Sequence, residues 1–197
     1  MNTAPRRATL SRRTAETDIT VELVLDGGGT AEVATGIGFL DHLLTALTKH
    51  ARFDLQLRCR GDLHIDDHHT AEDCALVLGA ALDQALGERA GIGRFGYAYA
   101  PLDEALARAV LDLSGRPHAE VRLDLRRPTL GALAGENVGH VLRSLAIAAQ
   151  ATLHVDLLRG ENDHHRAEAA FKATALALRQ AVATTGSDQV PSTKGVL

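Results

Sequence analysis

Cysteine, tryptophan and long apolar runs are scarce or missing in this sequence, and each shortage excludes a class of protein. The two cysteines, Cys59 and Cys74, are too few for a disulfide framework or a thiolate zinc site, and they favour a reducing, cytoplasmic location. No run approaches the roughly 18 apolar residues that a membrane span requires. The basic residues near the N-terminus have no apolar run behind them, so they do not predict a signal peptide.

Aromatic residues are also few, whereas histidine is abundant. Two tyrosines and four phenylalanines stand against ten histidines, which directs attention to imidazole chemistry. The formal net charge of −4 argues against a nucleic-acid partner, because phosphate backbones attract clustered positive charge. With 197 residues, 45% of them hydrophobic and 23% charged, the chain is expected to fold around a full hydrophobic core.

The sequence contains one unit twice. Residues 68–72 read HHTAE and residues 164–168 read HHRAE, close to half a chain length apart. The similarity continues downstream in an alanine- and leucine-rich segment. Upstream, where the second copy has a loop two residues shorter, His42 aligns with His140. An internal repeat of this length indicates that one structural unit is duplicated.

Both copies predict the same order of elements: strands, helix, strand, helix. Hydrophobic periodicity predicts long helices over residues 69–87 and 165–184. In the first copy, strands over 19–25 and 30–35 are expected to form a hairpin around a glycine-rich turn. In the second copy, a chain reversal is expected at 101–104.

These elements predict an α+β fold of two internally duplicated half-domains. Each half-domain is expected to be a mixed β-sheet with helices packed on one face. The first half-domain, with an N-terminal arm, is assigned to residues 1–93 and the second to 94–186. Residues 187–197 are polar and rich in turn formers, and such tails are commonly frayed.

The duplicated motif has the spacing of metal ligands on a helix. The first histidine and the glutamate of each motif are four residues apart and share a helix face. The second histidine, His69 or His165, lies about a third of a turn away and is expected to serve a different metal. With two upstream histidines the set divides into two sites of three nitrogens and one oxygen each. The candidate metal ligands are His42, His68, His69, Glu72, His140, His164, His165 and Glu168.

The identity of the metal stays open at this point. A ligand set of nitrogen and oxygen without thiolate suits manganese, iron or zinc, and ligand type alone does not decide among them. A single His-x-x-x-Glu pair is commonly only a surface hydrogen bond. Two copies at a constant offset, each with a matching upstream histidine, favour metal binding instead.

Several segments together resemble the imidazoleglycerol-phosphate dehydratase family, from about residue 6 to residue 197. One departure from the family pattern is Leu43, where methionine is common. No departure falls on a proposed metal ligand. The segments that carry the resemblance are GIGFLDHLL (36–44), DHHTAED (67–73), NDHH (162–165) with its continuation to FKA (171–173), RTAET (13–17), PLDE (101–104), LSGRP (113–117) and STKG (192–195).

The resemblance implies an enzyme of histidine biosynthesis that dehydrates imidazoleglycerol phosphate to imidazole acetol phosphate through an imidazolate bound to two metals. It also implies two Mn²⁺ ions per active site, a duplicated fold like the second domain of ribosomal protein S5, and a homo-oligomer of 24 subunits with active sites at subunit contacts. One metal would be bound by His42, His69, His164 and Glu168, and the other by His68, Glu72, His140 and His165.

The resemblance also implies residues that handle the substrate. We expect Glu16, Glu72 and Glu168 to be the catalytic carboxylates, with their order of proton transfer undecided. The tail 187–197 is then expected to close over the substrate. Lys172 could instead form an ordinary ion pair with Glu168. The expected substrate-binding residues are Glu16, Arg94, Asp103, Arg116, Lys172, Ser192 and Lys194.

Three other interpretations of the sequence compete with this one. A two-metal hydrolase acting on a phosphorylated small molecule would share the metal ligands but use a bridging hydroxide as its nucleophile. A metal-stabilised RNA-binding module is opposed by the acidic charge balance. Residues 91–96 match G-x-G-x-x-G, but they follow a predicted helix rather than a strand, so they indicate a turn and not a dinucleotide site.

Overall fold

The structure, a computed structural model, describes residues 5–197, so the first four residues of the expected N-terminal arm lie outside the described residues. The first half contains β1 (Arg7–Arg13), β2 (Thr17–Val24), β3 (Ala31–Ala34), α1 (Gly38–Ala51), β4 (Asp54–Gly61) and α2 (His68–Leu86). The second half contains β5 (Phe95–Leu102), β6 (Ala105–Asp112), β7 (His118–Arg122), β8 (Thr129–Leu130), β9 (Leu133–Ala134), α3 (Gly135–Ala148), β10 (Thr152–Arg159) and α4 (Asp163–Ala181).

The two halves repeat one sheet topology. The strand orders are β1-β2-β4-β3 and β5-β6-β10-β7, and in each sheet the last strand runs parallel to its neighbour while the others pair antiparallel. The small pair β8–β9 is an addition within the second half. The predicted α+β fold of two duplicated mixed sheets is confirmed. The boundary at residue 93 falls in the connection between α2 and β5 and stays a proposal.

The predicted hairpin between residues 19–25 and 30–35 is wrong. β4 lies between β2 and β3, and β3 pairs with β4 in parallel. One cause is Asp54 at the start of β4, whose Oδ1 accepts hydrogen bonds from the backbone N–H groups of Gly28, Gly29 and Thr30 at 2.8–3.1 Å. These bonds hold the glycine-rich turn against β4 instead of closing it on β2. The hairpin of this half is β1–β2.

The helices of each half pack against helices of the other half. Strand faces alternate between buried and exposed residues, and the buried faces carry the helices. Helix α1 packs against α4, and α2 packs against α3. The second crossing is close, because a Cβ atom at Gly79 of α2 would lie 2.4 Å from the carbonyl oxygen of Leu145 on α3. These crossings determine which residues of the two halves meet.

None of the helices within residues 5–197 combines the length and the hydropathy of a membrane span.

The close crossing of α2 and α3 predicts a stability effect. We expect Gly79→Ala to lower the free energy of unfolding by about 1–3 kcal/mol, because the added methyl group overpacks the helix contact. Gly38→Ala is the matched control, since nothing lies within 4 Å of a Cβ atom at that position. Urea denaturation followed by circular dichroism measures both. Equal stability of Gly79→Ala and the wild-type chain would contradict the close crossing.

Candidate metal centre

One histidine cluster forms where α1 crosses α4. His42 comes from α1, and His164 and Glu168 come from successive turns of α4. Glu168 Oε2 lies 3.0 Å from His42 Nε2 and 3.2 Å from His164 Nε2. One ligand atom from each of the three residues lies within 4.8 Å of the other two. This is the spacing of a group that could hold a metal ion.

A second cluster forms where α2 crosses α3, from the equivalent residues. Glu72 Oε1 lies 3.0 Å from His140 Nε2, and Glu72 Oε2 lies 4.0 Å from His68 Nε2. The imidazole rings of His68 and His140 are stacked with their centroids 5.0 Å apart. Asn137 Oδ1 accepts from His68 Nδ1 at 3.1 Å, and the amide of Asn137 donates to Asp67 at 3.0 Å. The Nδ1 atom is thus occupied, which leaves Nε2 directed into the cluster.

The second histidine of each motif lies outside these two groups. His69 Nε2 is 3.6 Å from a carboxylate oxygen of Glu16, and its ring centroid is 6.0 Å from that of His68. His165 Nε2 is 3.9 Å from a carboxylate oxygen of Asp103. Both side chains are partly exposed, at 33% and 27% of their area. The Nε2 atom of each imidazole therefore lies beside a carboxylate that belongs to neither cluster.

The charges around the clusters favour ionised carboxylates. Burial opposes ionisation of Glu168, but hydrogen bonds from Lys172 and His42 outweigh it and lower the pKa of Glu168 to about 2. Backbone N–H groups led by that of Asn162, together with the imidazole of His165, lower the pKa of Glu104 to about 2. Without metal, these negative charges raise the pKa of His165. The first cluster thus keeps an ionised carboxylate that suits a cation.

The basic residues divide between two locations. Lys172 lies in the metal region, with Nζ 2.7 Å from Glu168 Oε1. Arg94 and Arg116 lie elsewhere, on either side of Asp112. Arg94 donates two hydrogen bonds to Asp112 at 2.8 and 3.1 Å, and Arg116 lies 3.8 Å from the same carboxylate. Arg94 also has a positive φ of 65°, an unfavourable backbone conformation for a residue with a side chain.

The C-terminal tail runs along the turns that carry these two arginines. The guanidinium of Arg94 donates to the carbonyl oxygen of Pro191 at 2.8 Å. Residue 197 reaches the other turn, where a Cβ atom at Gly115 would lie 2.5 Å from the backbone carboxyl carbon of Leu197. Ser192 is half-buried and its hydroxyl accepts from the N–H of Lys194 at 3.2 Å, while the Lys194 side chain is exposed. The tail is therefore packed against the Arg94 region, whereas polar tails of this kind are commonly frayed.

Sequence reasoning missed the partners that orient the histidines. Asn137, Asp62 and Glu104 contact His68, His69 and His165, respectively, from distant positions in the chain. Asp112 between the two arginines was also missed. Helical spacing and the internal repeat carry no signal for these contacts, because they join different elements. Glu104 stands in the chain reversal predicted at 101–104, but nothing local in the sequence indicates its partner.

The fold and the clusters together define a class: an α+β protein with a duplicated mixed sheet and two groups of histidine and glutamate that could hold metal ions. Within that class, the family described as imidazoleglycerol-phosphate dehydratase has a sequence model that matches residues 35–178. The chain belongs to this family, hydro-lyases that act in histidine biosynthesis. The predicted family and dehydratase activity are confirmed, and the hydrolase and RNA-binding alternatives are not supported.

Individual relatives agree along the whole chain. An imidazoleglycerol-phosphate dehydratase of Phytophthora nicotianae is 62% identical over 192 residues, which are 98% of this chain and 42% of that longer protein. The enzyme of Chlorobium chlorochromatii is 54% identical, with 98% and 97% of the two chains covered. Among solved structures, the dehydratase of Staphylococcus aureus has a TM-score of 0.82 at 35% identity, covering 91% of this chain and 99% of that one. The Pyrococcus furiosus enzyme, crystallised with (S)-C348, has a TM-score of 0.82 at 39% identity, covering 95% and 100%.

The charged state of Glu168 predicts the acid sensitivity of the metal-free chain. Its pKa of about 2 lies below the ordinary 4.5, so between these values the unfolded chain binds more protons than the folded one. Protonation then favours unfolding, and the free energy of unfolding should decrease as the pH falls through this range. Glu168→Gln should flatten the decrease in urea denaturation at several pH values, whereas Glu88→Gln at an exposed position should not. An unchanged pH slope in Glu168→Gln would overturn the assignment.

Proposed function

We propose that the chain dehydrates imidazoleglycerol phosphate to imidazole acetol phosphate at a site that holds two Mn²⁺ ions. One observation carries the proposal beyond the family: the Nε2 atom of each of six histidines lies within 4.0 Å of a carboxylate oxygen. One ion would be bound by His42, His69, His164 and Glu168. The other would be bound by His68, Glu72, His140 and His165.

The donor atoms fit such ions. Imidazole nitrogen and carboxylate oxygen without thiolate suit manganese, and Cys59 and Cys74 are buried outside both clusters. Divalent ions held there would make the imidazole N–H of the substrate more acidic, so that the substrate ring could supply the electron pair that expels the neighbouring hydroxyl group. The protein has to hold the two clusters near one substrate ring and exclude other nucleophiles.

The two histidines that lie outside the clusters support a site shared between chains. His69 and His165 stand outside the clusters of their own chain, so each cluster has three of its four expected ligands there. We propose that a neighbouring chain supplies the fourth. A site would then combine the His42 cluster and His165 of one chain with the second cluster and His69 of its neighbour, in an assembly that we take to contain 24 subunits.

The outer face of the second sheet supports self-association. Strand β5 exposes Phe95, Tyr97 and Tyr99, with 57–68% of each residue accessible, on one side of the sheet. A row of exposed aromatic side chains is typical of a protein interface.

The reducing, cytoplasmic location also stays a proposal, which the two free cysteines support.

The carboxylates differ in their suitability for proton transfer. Glu168, with a pKa of about 2 and a bond from Lys172, is a poor proton carrier at neutral pH. Glu16 is half exposed, on the β1–β2 turn beside His69 Nε2. We therefore assign the proton transfer first to Glu16, with Glu72 as the second candidate. Asp103 occupies the corresponding turn of the other half, beside His165, where it would contact the substrate.

The arginine region supports phosphate binding. Planar guanidinium groups match phosphate oxygens, and Arg94 and Arg116 lie on neighbouring turns that the tail also contacts. We propose that they bind the substrate phosphate together with Ser192 and Lys194 of the tail. Lys172 lies next to Glu168 instead, so we assign it to the metal end of the substrate.

Metal removal tests the metal-dependent dehydratase. Chelation should abolish formation of imidazole acetol phosphate, and added Mn²⁺ should restore it. His69→Ala should stay at background activity at Mn²⁺ concentrations that saturate the wild-type enzyme, because one ion loses a ligand. His118→Ala, an exposed histidine on β7, is the control and should behave as the wild type. Release of inorganic phosphate instead of a ketone would favour the hydrolase.

The role of Glu16 is tested separately. Glu16→Gln should lower kcat by about 10²–10⁴-fold with little change in bound metal, because it removes an acid–base group and no expected ligand. Glu22→Gln, exposed on the adjacent strand β2, controls for the loss of one charge. Near wild-type kcat in Glu16→Gln would remove Glu16 from the mechanism.

A further inference from the structure

The second histidine of each motif, His69 or His165, has a carboxylate on its Nδ1 atom. Glu104 Oε2 lies 2.7 Å from His165 Nδ1, and Asp62 Oδ2 lies 3.0 Å from His69 Nδ1. A carboxylate can only accept a hydrogen bond, so the ring proton of a neutral imidazole is held on Nδ1. The lone pair is then on Nε2, the atom that would bind metal. These carboxylates control the tautomer of both histidines.

Glu104 is itself held in a fixed position. Its other oxygen, Oε1, accepts hydrogen bonds from the backbone N–H groups of Glu161 at 3.1 Å and Asn162 at 2.8 Å, just before α4 begins. The one side chain therefore ties the β5–β6 turn to the start of the helix that carries His165. Its two oxygens have different partners and cannot exchange freely.

The two halves of the duplicated fold supply these carboxylates from positions that are not equivalent. Glu16 directly precedes β2 and Glu104 directly precedes β6, which are equivalent strands of the two sheets. Asp62 directly follows β4, but the residue that follows the equivalent strand β10 is Gly160. In the first half Asp62 thus orients the histidine, and Glu16 has no such contact with Nδ1. In the second half the glutamate of the hairpin turn has to orient the histidine itself.

We propose that Asp62 and Glu104 are positioning residues that set the Nε2-ligating tautomer of His69 and His165. We further infer that the equivalent glutamates Glu16 and Glu104 have diverged, one available for chemistry and the other committed to orienting a ligand. The inference rests on the proposed metal sites. It goes beyond them, because neither residue is an expected ligand.

Two substitutions at Glu104 distinguish positioning from simple helix capping by which of them weakens metal binding more. In Glu104→Gln the amide oxygen satisfies the two backbone N–H groups, so the NH₂ group faces His165 Nδ1 and requires it to accept. The ring proton then moves to Nε2 and blocks metal binding. In Glu104→Ala the ring can adopt either tautomer. A capping role predicts the reverse order, because Gln keeps the backbone bonds and Ala loses them.

The experiment measures Mn²⁺ bound per chain by equilibrium dialysis and elemental analysis. Glu104→Gln should weaken binding of the ion that His165 would ligate by about 10–100-fold, and should weaken it more than Glu104→Ala does. The ion that His69 would ligate should be retained. Glu88→Gln should match the wild type. Equal binding by Glu104→Gln and the wild type, or a stronger defect in Glu104→Ala, would overturn the inference. A wild-type chain that binds no Mn²⁺ would overturn the proposed metal sites as well.

Asp62 gives a second test that does not depend on the helix start. In the described part of the chain no backbone N–H donates to its carboxylate, so Asp62→Ala removes only the contact with His69. We expect Asp62→Ala to weaken binding of the ion that His69 would ligate, which is not the ion affected by Glu104→Gln. The thermal unfolding midpoint should be unchanged. Unchanged Mn²⁺ binding in Asp62→Ala would contradict the proposal for this half even if Glu104→Gln fails to fold.

Discussion

The crossing of helices from opposite halves is the contact on which the candidate site depends. Helix α1 meets α4 and helix α2 meets α3, so each duplicated motif receives its third ligand from the other half. At the crossing of α2 and α3, the small residue Gly79 lets the helices approach closely enough for side chains of moderate length to converge. A carboxylate then lies about 3 Å from an imidazole nitrogen in each cluster. Without the crossings, each motif would be one His-x-x-x-Glu pair on a surface.

Local spacing in the sequence predicts much of this arrangement. The interval of four residues places His68 with Glu72 on one helix face, and the repeat identifies His42 and His140 as a matched pair. The long helices were predicted within a few residues of their ends, because their apolar periodicity is strong. The family resemblance added the substrate, the metal count and the tail.

Contacts between distant segments could not be predicted from the sequence. The hairpin over 19–25 and 30–35 was predicted from strand pattern and turn residues, but the turn is held against β4 by Asp54, which comes 24 residues after Thr30. Asn137, Asp62 and Glu104 were missed for the same reason, since each orients a histidine from another element. Their partners are determined by topology, which a pattern of alternating residues does not encode.

Each chain holds two groups of three candidate ligands, and we propose that each group is one half of a site completed by a neighbouring chain. Whether a site is shared between neighbouring chains is tested most directly by mixing two inactive variants. His164→Ala disables the cluster of α1 and α4, and His68→Ala disables that of α2 and α3. If sites are shared, dissociating an equal mixture and reassembling it with Mn²⁺ should restore about a quarter of wild-type dehydratase activity, since each site draws its clusters from two chains of a symmetric assembly. Activity that stays at the level of the separate variants after verified co-assembly would contradict a shared site.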